Sequence, residues 1–350
     1  MKLPEYFRDR ARDFVALRYP NFYEKIYNRH TKTQMLDCGE FLKIRRKDRT
    51  DFFCVKKEFD FSLALPLNFD FELAEKKVAA VIHIFYPELA DEIKKLLLNI
   101  PGKVDVYIST VSEEKKSALE KIFSDFDKGK VIVKVFENRG RDIAPAFVGF
   151  KNIYPNYDLC LHLHSKKSPH ASNRLFGWRD YLYDNLLGSE KIIRGIFKIM
   201  ENEKIGVVFP QYFTHIRLSR HWGENYLITK NLLKRLKIEI TNANLIEFPS
   251  GSMFWFKPAA LAPLFESDIN FSDFPEESGQ IDGTFAHGIE RAFLYIAESA
   301  GFSWIKTCTQ KKDAANTPVL ESSTQEELND NIKKIRRSVL KTVCEKNFPE

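Results

Sequence analysis

The chain has 350 residues, 44% of them apolar and 29% charged, enough to bury one large core with appended elements or two modest domains. Its net charge of +6 is mild, its basic residues are mixed with acids, and no RNP, zinc-finger or helix-turn-helix pattern occurs, so nucleic acid is not an expected partner. No apolar run approaches the ~18 residues that cross a bilayer and no secretion-signal core follows Met1, which makes the cytoplasm the expected location.

Residues 1–75 intersperse Arg8, Arg10, Arg12, Arg18 and Lys25 with Phe7, Phe14, Tyr19, Phe22, Tyr23 and Tyr27. They form an expected N-terminal extension, preferred as a helical cap on the main domain over an amphipathic membrane-surface segment, with Pro20 interrupting any long helix. From Lys76 the pattern alternates. Val78–Phe85 reads as a buried strand, Pro87–Leu98 as a helix, Val104–Ser109 as a strand and Ser112–Phe126 as a helix. Val131–Phe136, a short helix over Ile143–Ile153 and the strand Leu159–Leu163 follow. The pattern predicts an α/β fold, a mostly parallel sheet with helices on both faces. Further on, helices are expected over Leu175–Leu187 and Lys191–Glu201, strands over Ile205–Phe209 and Ser252–Phe256, and a helix over Gly283–Ala300 stopped by Gly301. The tail beyond Thr309 is polar until a helix over Gln325–Val343. The implied division is an extension over 1–75, a main domain over 76–305 and a helical tail over 306–350. Cys38, Cys54, Cys160, Cys308 and Cys344 are odd in number and lack C-x-x-C spacing, so reduced thiols are expected.

Two segments carry most of the chemistry. Each is an apolar strand ending abruptly in charged groups, the way parallel sheets present a site at their carboxyl edge: Glu137-Asn-Arg-Gly-Arg-Asp-Ile-Ala-Pro145 and Tyr157-Asp-Leu-Cys-Leu-His-Leu-His-Ser-Lys-Lys-Ser168. Arg139, Arg141, Lys166 and Lys167 gather positive charge, and Asn138 and Asp142 suit hydroxyls or amides, so the ligand these types fit carries phosphate and sugar, as a nucleotide sugar does. Gly140 permits close backbone approach, whereas Asp142 could simply cap the following helix. His83, Phe85 and Tyr86 end the first strand beside Ser109 and Thr110, as base contacts or as core. His162 and His164 share a strand face with Ser165 beyond them; Lys166 and Lys167 would repel a cation there, so metal is not expected and the basic groups would serve the diphosphate instead. Ser250-Gly-Ser-Met253 offers a small turn, with Trp255 as a sugar platform or a core residue. Asp282, His287 and Glu290, with Glu276 and Glu277 before them, concentrate ionisable groups at one helix start; the candidate base is Asp282 first and Glu290 second, against capping and salt-bridge roles. Trp222 is an acceptor-side candidate with Trp255, and Trp178, Arg179 and His221 have only polarity and position to recommend them.

Val81-Ile-His-Ile-Phe-Tyr-Pro-Glu-Leu89, Glu137-Asn-Arg-Gly-Arg-Asp-Ile-Ala-Pro145, His164-Ser-Lys-Lys-Ser168 and Asp282-Gly-Thr-Phe-Ala-His-Gly-Ile-Glu-Arg291 together resemble the rhamnan synthesis protein F family over residues 76–305. The resemblance implies a GT-A-like glycosyltransferase that transfers a sugar, typically rhamnose from dTDP-rhamnose, to a lipid-linked or polysaccharide acceptor in O-antigen, capsule or rhamnan assembly. Where most GT-A enzymes carry an Asp-x-Asp metal motif, this chain has His162-Leu-His-Ser-Lys-Lys167, which implies no metal cofactor. Under it Asn138 and Asp142 hold the donor, Lys166 and Lys167 the diphosphate, and Asp282 or Glu290 acts on the acceptor. Peripheral contact with the inner face of the cell membrane and other transferases of the pathway stay open as partners. The rival expectation is a catalytically silent module of the same fold that binds glycan or scaffolds a complex.

Overall fold

Val78–His83 is buried at every position, as a strand covered on both faces must be, and it lies inside a sheet built largely from such runs. The computed structural model describes residues 57–165, 177–214, 216–217, 220, 222–280, 282–309 and 314–342. Within them the strands are β1 Ser62–Ala64, β2 Val78–His83, β3 Val104–Thr110, β4 Val131–Val135, β5 Leu159–His164, β6 Ile205–Pro210, β7 Phe254–Phe256, β8 Ser303–Cys308 and β9 Val319–Leu320. They pair in the order β4-β3-β2-β5-β7-β6-β8-β1-β9, with β7 antiparallel to both neighbours and every other pairing parallel. The helices are α1 Ala90–Leu97, α2 Glu113–Ile122, α3 Trp178–Leu187, α4 Glu190–Met200, α5 Tyr226–Arg235, α6 Ala262–Phe265, α7 Phe285–Ser299 and α8 Gln325–Ile335.

Side-chain alternation along β2 divides the core into two layers. Val78, Ala80 and Ile82 join Ile93 of α1, Leu186 of α3, Ile196 of α4 and Ile332 of α8 on one face. Ala79 and Val81 join Leu232 of α5, Leu264 of α6 and Phe293 of α7 on the other. Each of the valines, leucines, isoleucines and phenylalanine among them contributes roughly 1.5–3 kcal/mol when fully buried. The expected α/β class, a mostly parallel sheet flanked by helices, is the observed one.

Several local expectations are corrected. In place of a helix over Ile143–Ile153 there is a π-helical turn, Pro145–Gly149, and then a 3₁₀ turn, Lys151–Asn156. The turn widens where Phe147 enters an aromatic cluster with Phe265 and Phe293, and the Tyr154 hydroxyl donates to the Ala146 carbonyl (3.0 Å). The last helix stops at Ile335 because Glu298 captures the chain beyond it: its carboxylate accepts from Ser338 Oγ (2.6 Å), Val339 N (2.7 Å) and Leu340 N (3.0 Å). The expected boundaries at 75 and 305 do not interrupt the sheet, since β1 comes from the first segment and β9 from the tail.

Next to β1 and β8 lies a buried ionic network. Lys306 Nζ contacts Asp60 Oδ1 and Glu247 Oε1 (3.0 Å), while Arg220 Nη1 donates to Glu247 Oε2 (2.9 Å) and approaches Asp60 Oδ2 (3.4 Å). Burial pushes the Asp60 carboxyl up, but Lys306, Arg220 and Arg217 outweigh it and bring its pKa down to about 2. Cys160 is a buried free thiol, and Cys308 is buried as well. Among the described residues no helix is long and apolar enough to cross a membrane.

Candidate functional site

From β2 the chain proceeds outward to β3 and β4, then returns to β2's other side as β5, so the connections diverge between β2 and β5. Open α/β sheets bind ligands outside the carboxyl ends of strands at such a switch point. Here those ends are His83 and His164, paired in register. Ser165 fastens them together: its N–H donates to the His83 carbonyl (2.9 Å), and its Oγ accepts from the N–H groups of Phe85 (2.9 Å) and Tyr86 (3.1 Å). His83 Nδ1 bonds Ser109 Oγ (2.9 Å), and Lys115 Nζ sits 3.8 Å above the Phe85 ring while donating to the Phe85 carbonyl.

The Asn138–Asp142 loop arrives over this edge by two consecutive left-handed residues, Gly140 at φ +65° and Arg141 at φ +56°. A Cβ on Gly140 would lie 2.4 Å from Phe274 Cδ1 and 2.6 Å from Ala144 Cβ, so the turn needs glycine for space as well as for φ. The turn sends Asp142 inward. Its Oδ2 lies 3.7 Å from His162 Nε2 and 4.0 Å from His164 Nε2, and neither Oδ2 nor either ring nitrogen of His162 has a hydrogen-bond partner among the described residues. Burial lowers the pKa of His83 and of His162 to about 4 against the attraction of Asp142, leaving both imidazoles neutral at pH 7. Burial would raise the Asp142 carboxyl, but the imidazoles of His164, His162 and His83 outweigh it and hold it below the usual range. Asp142 therefore does not act as the plain helix cap that the sequence also allowed.

The two arginines are not bare positive charges. Arg139 bonds Glu276 (2.9 Å), Glu137 (3.2 Å) and the Phe274 carbonyl (3.0 Å). Arg141 reaches Glu277 (3.3 Å), the Gln280 carbonyl and His287 Nε2 (3.1 Å). Together they strap the 274–280 loop across the switch point. Because a guanidinium only donates, His287 Nε2 is the acceptor and Nδ1 carries the proton, which it donates to Thr284 Oγ1 (2.8 Å). Burial first, and Arg141 with it, lowers the His287 pKa against the pull of Glu290.

Thr284, and not Asp282, caps α7 by accepting from His287 N (3.5 Å). Asp282 Oδ1 instead accepts from Asn225 Nδ2 (2.7 Å) and faces Arg291 Nη2 (3.6 Å). Glu290 Oε1 accepts from Gly251 N and Ser252 Oγ (both 3.1 Å), and Oε2 faces Arg291 Nη1 (3.5 Å). Gly251 in turn accepts His164 Nε2 at its carbonyl (2.8 Å). A continuous polar line thus runs from Asp142 through His164, Gly251, Glu290 and Arg291 to Asp282.

This geometry brings together His83, Tyr86, Arg139, Gly140, Arg141, Asp142, His162, His164, Ser165, Asp282, His287 and Glu290, with Asn138 exposed at the rim. Lys166, Lys167 and His221 lie outside the described residues. Two expectations are corrected. Trp255 is fully buried, edge-on to Phe197 with its Nε1 donating to the Leu186 carbonyl (3.1 Å), and presents no platform to a sugar. Trp222 is buried too, stacked on Tyr295 and edge-on to Tyr226. Arg179 is paired with Asp180 (2.8 Å) and Glu92 (3.5 Å) away from this line.

Sequence reasoning missed Asn225, Arg291 and Glu224. Asn225 is fully buried, donates to Asp282 and accepts Gly283 N (3.2 Å). Glu224 lies over Gly283, whose φ is +72°: a Cβ there would sit 2.7 Å from Glu224 Oε2. Burial and the neighbouring Asp282 push the Glu224 carboxyl up. The signal available was Trp222-Gly-Glu-Asn225, a small polar turn opening a helix, of which only the tryptophan drew attention. Among the described residues no group of three or more His, Cys, Asp or Glu is arranged to hold a metal ion.

Comparison with known proteins gives three kinds of match. The family model described as rhamnan synthesis protein F matches residues 61–302. Uncharacterized protein WxcX from Xanthomonas campestris pv. campestris, in strain B100 and in strain ATCC 33913, is 29% identical over 249 residues, 71% of this chain but 35% of the relative. The chain therefore spans about a third of the length of these curated relatives. Among solved structures, 4-diphosphocytidyl-2C-methyl-D-erythritol synthase from Anaerococcus prevotii aligns over 73% of this chain and 94% of its own, at 11% identity and a TM-score of 0.34.

Proposed function

The chain belongs to the rhamnan synthesis protein F family, a family of polysaccharide synthesis, and from that premise we propose that it is a GT-A-like glycosyltransferase. The transfer runs from a nucleotide sugar, first dTDP-rhamnose, to a lipid-linked or polysaccharide acceptor of the bacterial surface, without a metal. One observation carries the reading: three of the motifs, far apart in sequence, converge at the β2/β5 switch point, while the fourth opens there with His164 and Ser165. His83, Tyr86 and Ser165 line the edge where a base and ribose would lie, and Asp142, with Asn138 at the rim, presents acceptors to sugar hydroxyls. Lys166 and Lys167, next in sequence after Ser165, supply charge for the diphosphate. The protein would work in the cytoplasm, in peripheral contact with the membrane that holds the acceptor.

A second reading, the catalytically silent module, is favoured by the pairing of Arg139 and Arg141 with Glu276 and Glu277, which neutralises the charge the donor would need. Calorimetric titration with dTDP, UDP, GDP and CMP, with and without EDTA, separates the two. The transferase reading expects EDTA-insensitive binding of one nucleoside diphosphate, weakened at least tenfold in Asp142→Ala and Lys166→Ala, a loss of about 1.4 kcal/mol. No binding of any of the four moves the assignment to the silent module.

A further inference from the structure

Resting on the transferase reading, we infer that Glu224, and neither Asp282 nor Glu290, is the base that takes the proton from the acceptor hydroxyl. Glu290 spends both oxygens inside the protein, Oε1 on Gly251 N and Ser252 Oγ and Oε2 against Arg291. Asp282 is fixed by Asn225 and faces the same arginine. His287 has Nε2 occupied by Arg141 and Nδ1 by Thr284. Asp142 is walled in by His162 and His164 at the donor end. Glu290, Asp282 and His287 are thus each engaged by neighbours within the protein, and Asp142 belongs to the donor end.

Glu224 differs in each respect. It is half-buried at the entrance to α5, beside the Asp282 end of the line of polar contacts that begins at the switch point. Its carboxylate lies over Gly283, and the positive φ of that glycine leaves the space it occupies. Asn225, the next residue, holds both Asp282 and the Gly283 N–H, so one short turn fixes Glu224 and Asp282 side by side. The charged groups facing the pair are Asp282 itself and Arg291 from α7; Arg291 lies against Asp282 and Glu290. Burial first, and the neighbouring Asp282 with it, moves the Glu224 carboxyl up, the direction that suits a base. Two neighbouring carboxyls with separated tasks follow from environment alone.

The step balances as a displacement at the anomeric carbon. The acceptor oxygen forms the new C–O bond as Glu224 takes its proton, and the bond from the anomeric carbon to the nucleoside diphosphate breaks with its electron pair leaving on the diphosphate. Water in place of the acceptor gives the slow hydrolysis of the donor by the same route.

The test uses the full chain with dTDP-rhamnose, following dTDP release to water and to added methyl rhamnoside across pH, alongside calorimetry of dTDP. Glu224→Gln should lower kcat by ~10²–10⁴-fold, leave dTDP affinity within about twofold, and abolish the acidic limb of the pH profile. Glu224→Asp should keep that limb with a partial rate, which separates loss of the base from loss of the fold. Wild-type turnover in Glu224→Gln, with Asp282→Asn losing both rate and limb, overturns the assignment while the transferase reading stands. Absence of turnover together with absence of binding of any of dTDP, UDP, GDP and CMP in the wild-type chain overturns the transferase reading and this inference with it.

Discussion

Replacing Lys306 with Met removes one of the cations that keep Asp60 and Glu247 charged in the core and leaves a side chain of similar length. Both acids and Lys306 are almost wholly enclosed, so no water replaces the lost contacts to Asp60 Oδ1 and Glu247 Oε1. Breaking a buried pair by removing one partner costs about 3–5 kcal/mol. The titration of Asp60 gives an independent scale: a pKa held at about 2 instead of 3.8 corresponds to roughly 2.5 kcal/mol of stability from ionising that carboxyl in the folded state. A depressed carboxylate pKa contributes fully above its unfolded value and is lost as pH falls through the folded value. The deficit of Lys306→Met should therefore be about 3–5 kcal/mol at pH 7, and the contribution of Asp60 should fade between pH 3.8 and about 2. Urea unfolding followed by tryptophan fluorescence measures this without the screening that guanidinium introduces. The variant Asp60→Asn/Lys306→Met should recover about 1–3 kcal/mol relative to the sum of the single substitutions. A deficit under about 1 kcal/mol at pH 7, or additive single variants, would refute the claim that these charges are held by one another.

Gly140→Ala should destabilise the chain by about 2–4 kcal/mol, combining the left-handed backbone penalty with overlap against Phe274 and Ala144; a loss below about 1 kcal/mol in urea would show that the Asp142 turn relaxes freely. Ser165→Ala strips the acceptor from two backbone N–H groups, so hydrogen exchange of the peptide holding Phe85 and Tyr86 should accelerate about tenfold, for roughly 1–2 kcal/mol of net hydrogen bonding. Unchanged exchange there, with the rest of β2 as internal control, would mean that Ser165 does not join the two strand ends.

How far the sequence foretold this molecule depends on whether the deciding partner is near in the chain. β2, β3 and β5 are largely apolar runs of six or seven residues whose polar members fall mainly toward their carboxyl ends, and their parallel pairing follows from the helices between them. β8 is interrupted by Lys306 and Thr307 and was not recognised; Lys306 is tolerable there because Asp60 and Glu247 are brought to it from remote segments. β1 has three residues and β9 two, too few to show a period. Trp255 failed as a platform for the same reason: Phe254–Phe256 is an interior antiparallel strand between β5 and β6, a placement that no local pattern in Phe-Trp-Phe discloses.

The arginine pair shows what this means for the site. In sequence Arg139 and Arg141 bracket a glycine after a strand and count as two free cations, which suggested a diphosphate. In the fold their first partners are Glu276 and Glu277, on a loop more than a hundred residues later, and the local charge is close to neutral. A diphosphate arriving at the switch point would have to displace those carboxylates. It carries more charge than either, and its oxygens offer bidentate geometry to a guanidinium, so the exchange is one of like for like and not the filling of a bare positive pocket. The cost of that exchange includes releasing the 274–280 loop, which both arginines hold and which leads directly into Asp282 and α7. Donor and acceptor ends of the site are therefore mechanically joined: a ligand that takes Arg141 also takes a partner from His287, whose Nδ1 bonds the residue that caps the helix carrying Glu290 and Arg291.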